Sequence, residues 1–370
     1  MSHVNKQMAS FFLTTKCNLR CVYCYNVLER CSREEQTLSL KFAQAGVDYF
    51  FETNPSRHIR FYGPGEPTQE LGLMKQIVGY AKEKAGDEVS VEVQTNGVFG
   101  SNALSYFADN VNIAWFSFDG TPDIHDANRP LPGNKPSSPI IERNVKTLTN
   151  GARDDQIFGV RSTITDINMG RQVEMIDYFS SLGVKHIWVD PLFPEVGKVP
   201  VCDKPVNDFH FDMDNFIETF VPAYRYAESK GIFYNTFLMC NFDGESPYHC
   251  RAGSPTPHFT PDNYISACDM VTHGADPGHM EPLIYGKWNE EKEKIIIFPD
   301  KVKNLQLRST DNMTHCMGCD VALNCGGYCF GETLNATGSL CGQIPNVCEA
   351  IHKLHKIIGP SMTPYPALHP

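Results

Sequence analysis

Three cysteines, Cys17, Cys21 and Cys24, follow one another as C-x3-C-x2-C in a chain of 370 residues. Three thiolates so close together can wrap one metal cluster, but they leave one metal without a protein ligand. Iron–sulfur clusters are ordinarily held by four cysteines, so a site with three is built to bind something else at the open iron. A second group lies far along the chain: Cys316-x2-Cys319-x5-Cys325-x3-Cys329, then Cys348, with Cys250 and Cys268 upstream. None of the fourteen cysteines falls between Cys31 and Cys202. Disulfide frameworks belong to small exported domains, and the polar start MSHVNKQMAS is no signal peptide. Metal binding in a reducing cytoplasm is the better reading.

The elements that must position these residues are βα units. Strand-like runs at 11–15, 59–62, 89–94, 113–118, 158–163 and 186–189 alternate with helical patterns at 38–52, 71–84, 140–150 and 173–182. Six such strands predict a parallel sheet in a partial (β/α)6 TIM-like barrel over residues 8–230, with a last helix at 214–230. The first cysteines then sit on the loop leaving the first strand, at the sheet edge where α/β folds bind ligands. Residues 231–358 form a Cys-, Gly- and Pro-rich region expected to be held by metal more than by an apolar core. Residues 359–370 are expected to be an extended tail. A net charge of −11 argues against a nucleic-acid or anionic-membrane surface, and no run of eighteen apolar residues exists.

Cys17-x3-Cys21-x2-Cys24, with Tyr25 next, resembles the signature of the radical S-adenosylmethionine (SAM) superfamily. The resemblance implies a 4Fe–4S cluster on the three cysteines, SAM chelated to its open iron, and a 5′-deoxyadenosyl radical that abstracts hydrogen. Tyr25 would lie beside the adenine. Gly63-Pro64-Gly65-Glu66-Pro67 resembles the family's Gly-Gly-Glu-Pro segment, which puts Gly63, Gly65 and Glu66 at the SAM amino group. Glycine admits close backbone approach; Pro64 departs from the family pattern and has no N–H to donate. Gln94 and Asn96 end the third strand, Ser117 and Asp119 the fourth, and Arg161 lies on the fifth. By resemblance Ser117 meets the SAM ribose, Asp119 shapes its loop and Arg161 meets the SAM carboxylate. His125, Asp126 and Arg129 belong to a segment shared across such enzymes and read as loop-organising.

The far cysteines resemble the SPASM extension of peptide- and protein-modifying radical SAM enzymes, which implies two auxiliary 4Fe–4S clusters. By position, Cys316, Cys319, Cys325 and Cys348 would hold one. Cys250, Cys268 and Cys329 would hold the other, with Cys240 as the nearest thiol to complete it. Cys31, Cys202 and Cys341 are then spare. Zinc is the competing reading, since C-x2-C pairs are common zinc knuckles. Asn263 replaces the family's glycine in a turn between two strands and tolerates the left-handed backbone such a turn needs.

The cofactors implied are SAM and three 4Fe–4S clusters. The activity implied is oxidation of a peptide or protein, with a thioether or carbon crosslink in a ribosomally made peptide placed first. Oxidation of Cys or Ser to formylglycine in a sulfatase is the alternative, and a non-catalytic iron–sulfur electron carrier is the reading from another class. Asp269, directly after Cys268, is the candidate general base. An external electron donor such as a flavodoxin or ferredoxin is expected; nucleic acid and membrane are not. Only sixteen residues precede Cys17, too few for a winged-helix leader-recognition domain. Leader recognition, where needed, would fall to a separate protein or to the rest of the chain.

Overall fold

The computed structural model describes residues 7–24, 26, 34–192 and 211–362. Strands β1 (Ala9–Phe12), β2 (His58–Tyr62), β3 (Ser90–Thr95), β4 (Ile113–Ser117), β5 (Ile157–Ile164) and β6 (His186–Pro191) pair in parallel, each with the next in the chain. Parallel neighbours need a crossover between them. Helices Leu40–Thr53, Leu71–Ala85, Ser101–Asn110, Ser138–Asn150 and Gln172–Ser181 supply it, and Met213–Ser229 leads to a short further parallel strand, β7 (Phe233–Asn235). The α/β partial barrel expected from the alternation of runs is therefore present, with strand ends displaced by at most three residues.

Two caps show why the helices start where they do. Ser39 accepts a hydrogen bond from the Phe42 N–H at 3.2 Å, and Asp212 accepts one from the Asn215 N–H at 3.1 Å. Along each parallel strand one set of side chains is apolar and packs under the helices, as Ile59, Phe61, Val91, Val93, Ala114 and Phe116 do. The alternate set faces the concave side of the sheet and includes Ser10, Arg60, Glu92, Gln94, Arg161 and Asp190. Burying each large apolar side chain contributes about 1.5–3 kcal/mol, so the helix-covered face can carry the polar interior that the site needs.

The cysteine-rich region differs from expectation. It continues the same sheet: β8 (His258–Phe259) pairs in parallel with the free side of β1, and β9 (Tyr264–Ser266), β10 (Ile284–Asn289) and β11 (Lys294–Ile297) follow antiparallel. Ile265, Leu283, Phe330, Leu334, Ile351 and Leu354 are buried in the core shared with the barrel. Most apolar residues of this region are spread over short strands and helices, but Val347, Ala350, Ile351 and Leu354 recur at helical spacing on the 13-residue helix Pro345–Ile357, a periodic stretch that sequence reasoning missed. Asn263 has φ 71° in the β8–β9 turn, the left-handed backbone expected there. Where an extended tail was expected, Gly359–Ser361 forms a 3-10 turn; residues 363–370, like Tyr25, Cys31 and Cys202, lie outside the described residues.

Candidate functional site

Cys17, Cys21 and Cys24 are half-buried on the loop after β1 and line a cavity of about 350 Å³. Backbone bonds from Arg20 to Pro130 (2.8 Å) and from Val22 to Asn128 (2.9 Å) pin this loop to the segment after the Pro122–Asn128 helix. Arg129 approaches the Cys21 Sγ at 3.9 Å, and the Asn96 side-chain amide approaches the Cys17 Sγ at the same distance. Burial pushes the Cys21 thiol up to about 12, with Arg129 opposing it. A tetrahedral zinc ion needs sulfurs about 3.8 Å apart, from Zn–S bonds of about 2.3 Å. Among the described residues, the group whose ligand atoms all lie within 4.8 Å of one another is Cys319, Asp320 and His352; the three N-terminal cysteines do not form such a group.

The glycine-rich segment after β2 is pressed against the cysteine loop. A Cβ on Gly65 would lie 2.2 Å from the Lys16 carbonyl oxygen, so no larger residue fits, and the Glu66 N–H donates to that same oxygen at 2.7 Å. Glu66 is buried, and its carboxylate accepts from the Thr68 N–H (3.0 Å), the Thr68 and Thr95 hydroxyls (2.8 and 2.6 Å) and the Asn96 N–H (2.7 Å). Burial raises its pKa while these bonds act to lower it. Its carboxylate thus ties the ends of β2 and β3 together; Gly63, Pro64 and Gly65 line the cavity beside it. Asn96 carries the tie onward, donating to the Asn18 side chain at 2.7 Å.

Asp119 does the equivalent work at the end of β4. It accepts from the Tyr23 hydroxyl, from Arg129 Nε at 3.1 Å and from the Thr163 N–H at 3.1 Å, and it is fully buried. Arg129 also stacks over the Tyr23 ring at 5.1 Å, so Tyr23, between two of the cysteines, is locked from two sides. His125 is buried behind this loop and its pKa falls to about 4, chiefly because burial disfavours the cation. Asp126 accepts from the Ser137 and Ser138 N–H groups, both at 2.8 Å. The loop-organising reading of His125, Asp126 and Arg129 fits these contacts.

Gln94, Ser117 and Arg161 face the cavity. Arg161 donates to Asp190 at 2.9 Å and to the Gln94 side-chain oxygen at 3.1 Å. Burial works against its charge, but Asp190 prevails and the net shift is upward. Asp190 is in turn held by the Trp188 indole N–H (2.8 Å) and the Phe237 N–H (2.9 Å).

The same cavity is lined on its far side by Cys240, Cys250, Cys268 and Cys329. Charges on Cys250 and Cys329 act on Cys268, and charge on Cys250 acts on Cys240, which places the four in one electrostatic group. Gly331 makes room for it: a Cβ there would sit 2.9 Å from the Cys268 Sγ. Asp269 points into the cavity beside Cys268, paired with Arg60 and with His258 Nε2 at 2.8 Å. Burial would raise its pKa, but Arg60 and His258 hold the carboxyl well below the usual range. The remaining cysteines, Cys316, Cys319, Cys325 and Cys348, form a second electrostatic group that exposed Cys341 also reaches. His352 Nε2 lies 3.3 Å from the Cys319 Sγ and its Nδ1 3.5 Å from Asp320.

Sequence reasoning missed Tyr23, Arg60, His258, Asp190 and His352. Arg60 was legible as a charged residue inside an apolar strand, and Asp190 as one directly after the run 186–189. His258 and Tyr23 carry no such signal; only the fold brings them to the site.

No family model matches the chain. It is 27% identical over 185 residues to an uncharacterised protein of Methanocaldococcus jannaschii, covering 50% of this chain and 62% of that one. A cysteine-type anaerobic sulfatase-maturating enzyme of Clostridium novyi is 27% identical over 205 residues, 53% of this chain and 50% of that protein. The match thus spans less than two thirds of either relative. The radical SAM cyclopropyl synthase TigE of Paramaledivibacter caminithermalis is 19% identical over 365 residues, 92% of this chain and 71% of that protein. Among solved structures, anSMEcpe with bound AdoMet superimposes with a TM-score of 0.72 at 13% identity over 96% of this chain and 93% of that one. SuiB of Streptococcus suis, bound to its precursor peptide SuiA, gives 0.65 at 12% identity over 93% of this chain and 76% of that one. In sequence and in fold, the chain is similar to the radical SAM enzymes, with a cysteine-rich C-terminal region of the SPASM kind.

Proposed function

We propose that this chain is a radical SAM oxidative maturase of a peptide or protein. The observation that carries the reading is one cavity lined at once by Cys17, Cys21 and Cys24 and by Cys240, Cys250, Cys268 and Cys329. The first three would hold a 4Fe–4S cluster that, with SAM bound, supplies a 5′-deoxyadenosyl radical for hydrogen abstraction. Gly63, Gly65, Gln94, Asn96, Ser117 and Arg161 surround the space a SAM molecule would take, while Glu66 and Asp119 hold the loops that form it. The second four would hold an auxiliary cluster beside the substrate, a destination for the electron that a two-electron oxidation must shed. Cys316, Cys319, Cys325 and Cys348 would hold a third cluster.

The first reading of the product is a thioether or carbon crosslink in a ribosomally made peptide. Formylglycine formation is a second reading, favoured by Asp269: its carboxylate faces the cavity next to Cys268. A carboxylate held so low by Arg60 and His258 is a weak base until one of those partners moves. An external donor such as a flavodoxin or ferredoxin would supply the reducing electron, and a separate leader-recognition protein would present a peptide substrate. The enzyme reading is tested by incubating reduced, reconstituted protein with SAM under anaerobic conditions; absence of 5′-deoxyadenosine would leave only an electron carrier. Mass spectrometry of a treated Cys-containing peptide separates the products. A crosslink removes two hydrogens and keeps the sulfur, whereas formylglycine replaces the thiol by an aldehyde oxygen.

A further inference from the structure

Arg308 is 1% exposed, and among the described residues it forms no ion pair with a carboxylate. The ionisable groups that act on it most strongly are cysteines of both far groups: Cys250 and Cys329 of one, Cys325 of the other, and Cys341. Its guanidinium is spread over backbone oxygens. Nε donates to Leu340 at 2.9 Å, one terminal nitrogen to Tyr328 at 2.8 Å and Gly326 at 3.4 Å, the other to Gly327 at 2.6 Å. Its plane lies over the Phe330 ring at 4.3 Å. Gly326, Gly327 and Tyr328 all have positive φ (64°, 75° and 66°). Two glycines adopt this backbone freely, but a tyrosine does so only when its surroundings impose it. These three residues are the whole of the segment between Cys325 and Cys329, and hence the covalent link between the two groups of cysteines.

A buried guanidinium without a counter-charge is costly. Carbonyl dipoles meet its hydrogen bonds but not its charge. Thiolates on a cluster would meet the charge, since a cubane with four cysteinates is a net anion that becomes more negative on reduction. A fixed cation nearby favours the reduced form, and so raises the potential.

We propose that Arg308 is the shared counter-cation of two auxiliary iron–sulfur sites, a positioning residue that fixes the Cys325–Cys329 link and raises the potential of both clusters. This rests on the auxiliary-cluster reading given above. The test is anaerobic reconstitution of the full chain, with iron counted per chain and auxiliary potentials measured by EPR titration in wild type, Arg308→Met and Arg308→Lys. Wild-type protein that holds only about four irons would sink the auxiliary reading itself, before any variant is made. With auxiliaries present, Arg308→Met should lower the ratio of reduced to oxidised auxiliary cluster about tenfold at fixed potential, which is about 59 mV for one electron. The signal that responds to added SAM should not move. Arg308→Lys, which keeps the charge and loses the fork, should recover most of the shift. Full iron with unmoved auxiliary potentials in Arg308→Met would overturn the proposal. Should Arg308→Met fail to load, loading of Arg308→Lys supports the counter-cation and its failure overturns it in favour of packing alone.

Discussion

Replacing Glu66 by glutamine should loosen the SAM site without removing any residue expected to touch iron. The two carboxylate oxygens divide the backbone donors: Oε1 takes the Thr68 N–H and Oε2 the Asn96 N–H. A glutamine has one oxygen, and its amide nitrogen would face an N–H. Keeping Oε1 with Thr68 and the two hydroxyls strands the Asn96 N–H; turning the amide over strands the Thr68 side. A buried donor left unpaired costs about 1–3 kcal/mol. Asn96 is the residue whose side chain reaches Asn18 and Cys17, so the loss falls on the cysteine loop. With about 1.4 kcal/mol per tenfold change, SAM affinity should weaken by roughly 5- to 150-fold. Calorimetric titration of SAM into anaerobically reconstituted protein measures it, with iron content as the control. Affinity within twofold of wild type at full iron would refute the argument that this carboxylate holds the site together.

Replacing Cys17, Cys21 and Cys24 by alanine should abolish SAM cleavage and leave about eight irons, four per remaining cubane; loss of all iron would contradict independent C-terminal sites. Asp269→Asn should lower product while sparing uncoupled SAM cleavage, and should cost about 3 kcal/mol by leaving buried Arg60 without its anion; unchanged product yield would remove Asp269 as a base. Gly65→Ala should fail to assemble the first cluster, because its Cβ would meet the Lys16 and Thr14 carbonyl oxygens at 2.2 and 2.5 Å, and SAM-responsive EPR signal in that variant would count against the close approach. His125 is held neutral, with its pKa lowered from 6.5 to about 4. The unfolded chain takes up a proton below 6.5 that the folded chain refuses, so stability should fall as pH drops from 6.5 toward 4, by about 3 kcal/mol in all at about 1.36 kcal/mol per unit. Thermal unfolding across that window in wild type and His125→Phe checks it; identical profiles would deny the histidine this role.

The parallel strands, their crossover helices and the order of the strand-end motifs were legible because each has a local signature. Apolar runs a few residues long mark the strands, and Gly63–Glu66, Gln94–Gly97 and Ser117–Gly120 interrupt them where chemistry replaces packing. What Glu66 does was less legible. Its type suggests ligand contact, yet its oxygens are occupied by neighbouring loops, a fact that depends on which strand ends become neighbours. Cys240 had no motif to place it; only the fold of residues 231–250 brings it to the cavity with Cys250. The strands of the cysteine-rich region were illegible for another reason: they are two to six residues long, too short for periodicity to separate them from loop. Its helix Pro345–Ile357 did carry a helical period, in Val347, Ala350, Ile351 and Leu354.

The pairing of β8 with β1 gives these observations a common cause. In register, Ser10 of β1 stands between Arg60 of β2 and His258 of β8. Arg60 then reaches Ser10 at 2.8 Å and crosses to Asp269, which His258 holds from the other side. A cysteine-rich segment tethered only by metal could shift relative to the barrel whenever a cluster was lost or reduced. One held by a shared sheet and a buried ion pair cannot do so cheaply, because moving it strands Arg60 in the interior. The distance between the first three cysteines and Cys268 is therefore set by backbone pairing, and the clusters those cysteines would hold are placed by the fold.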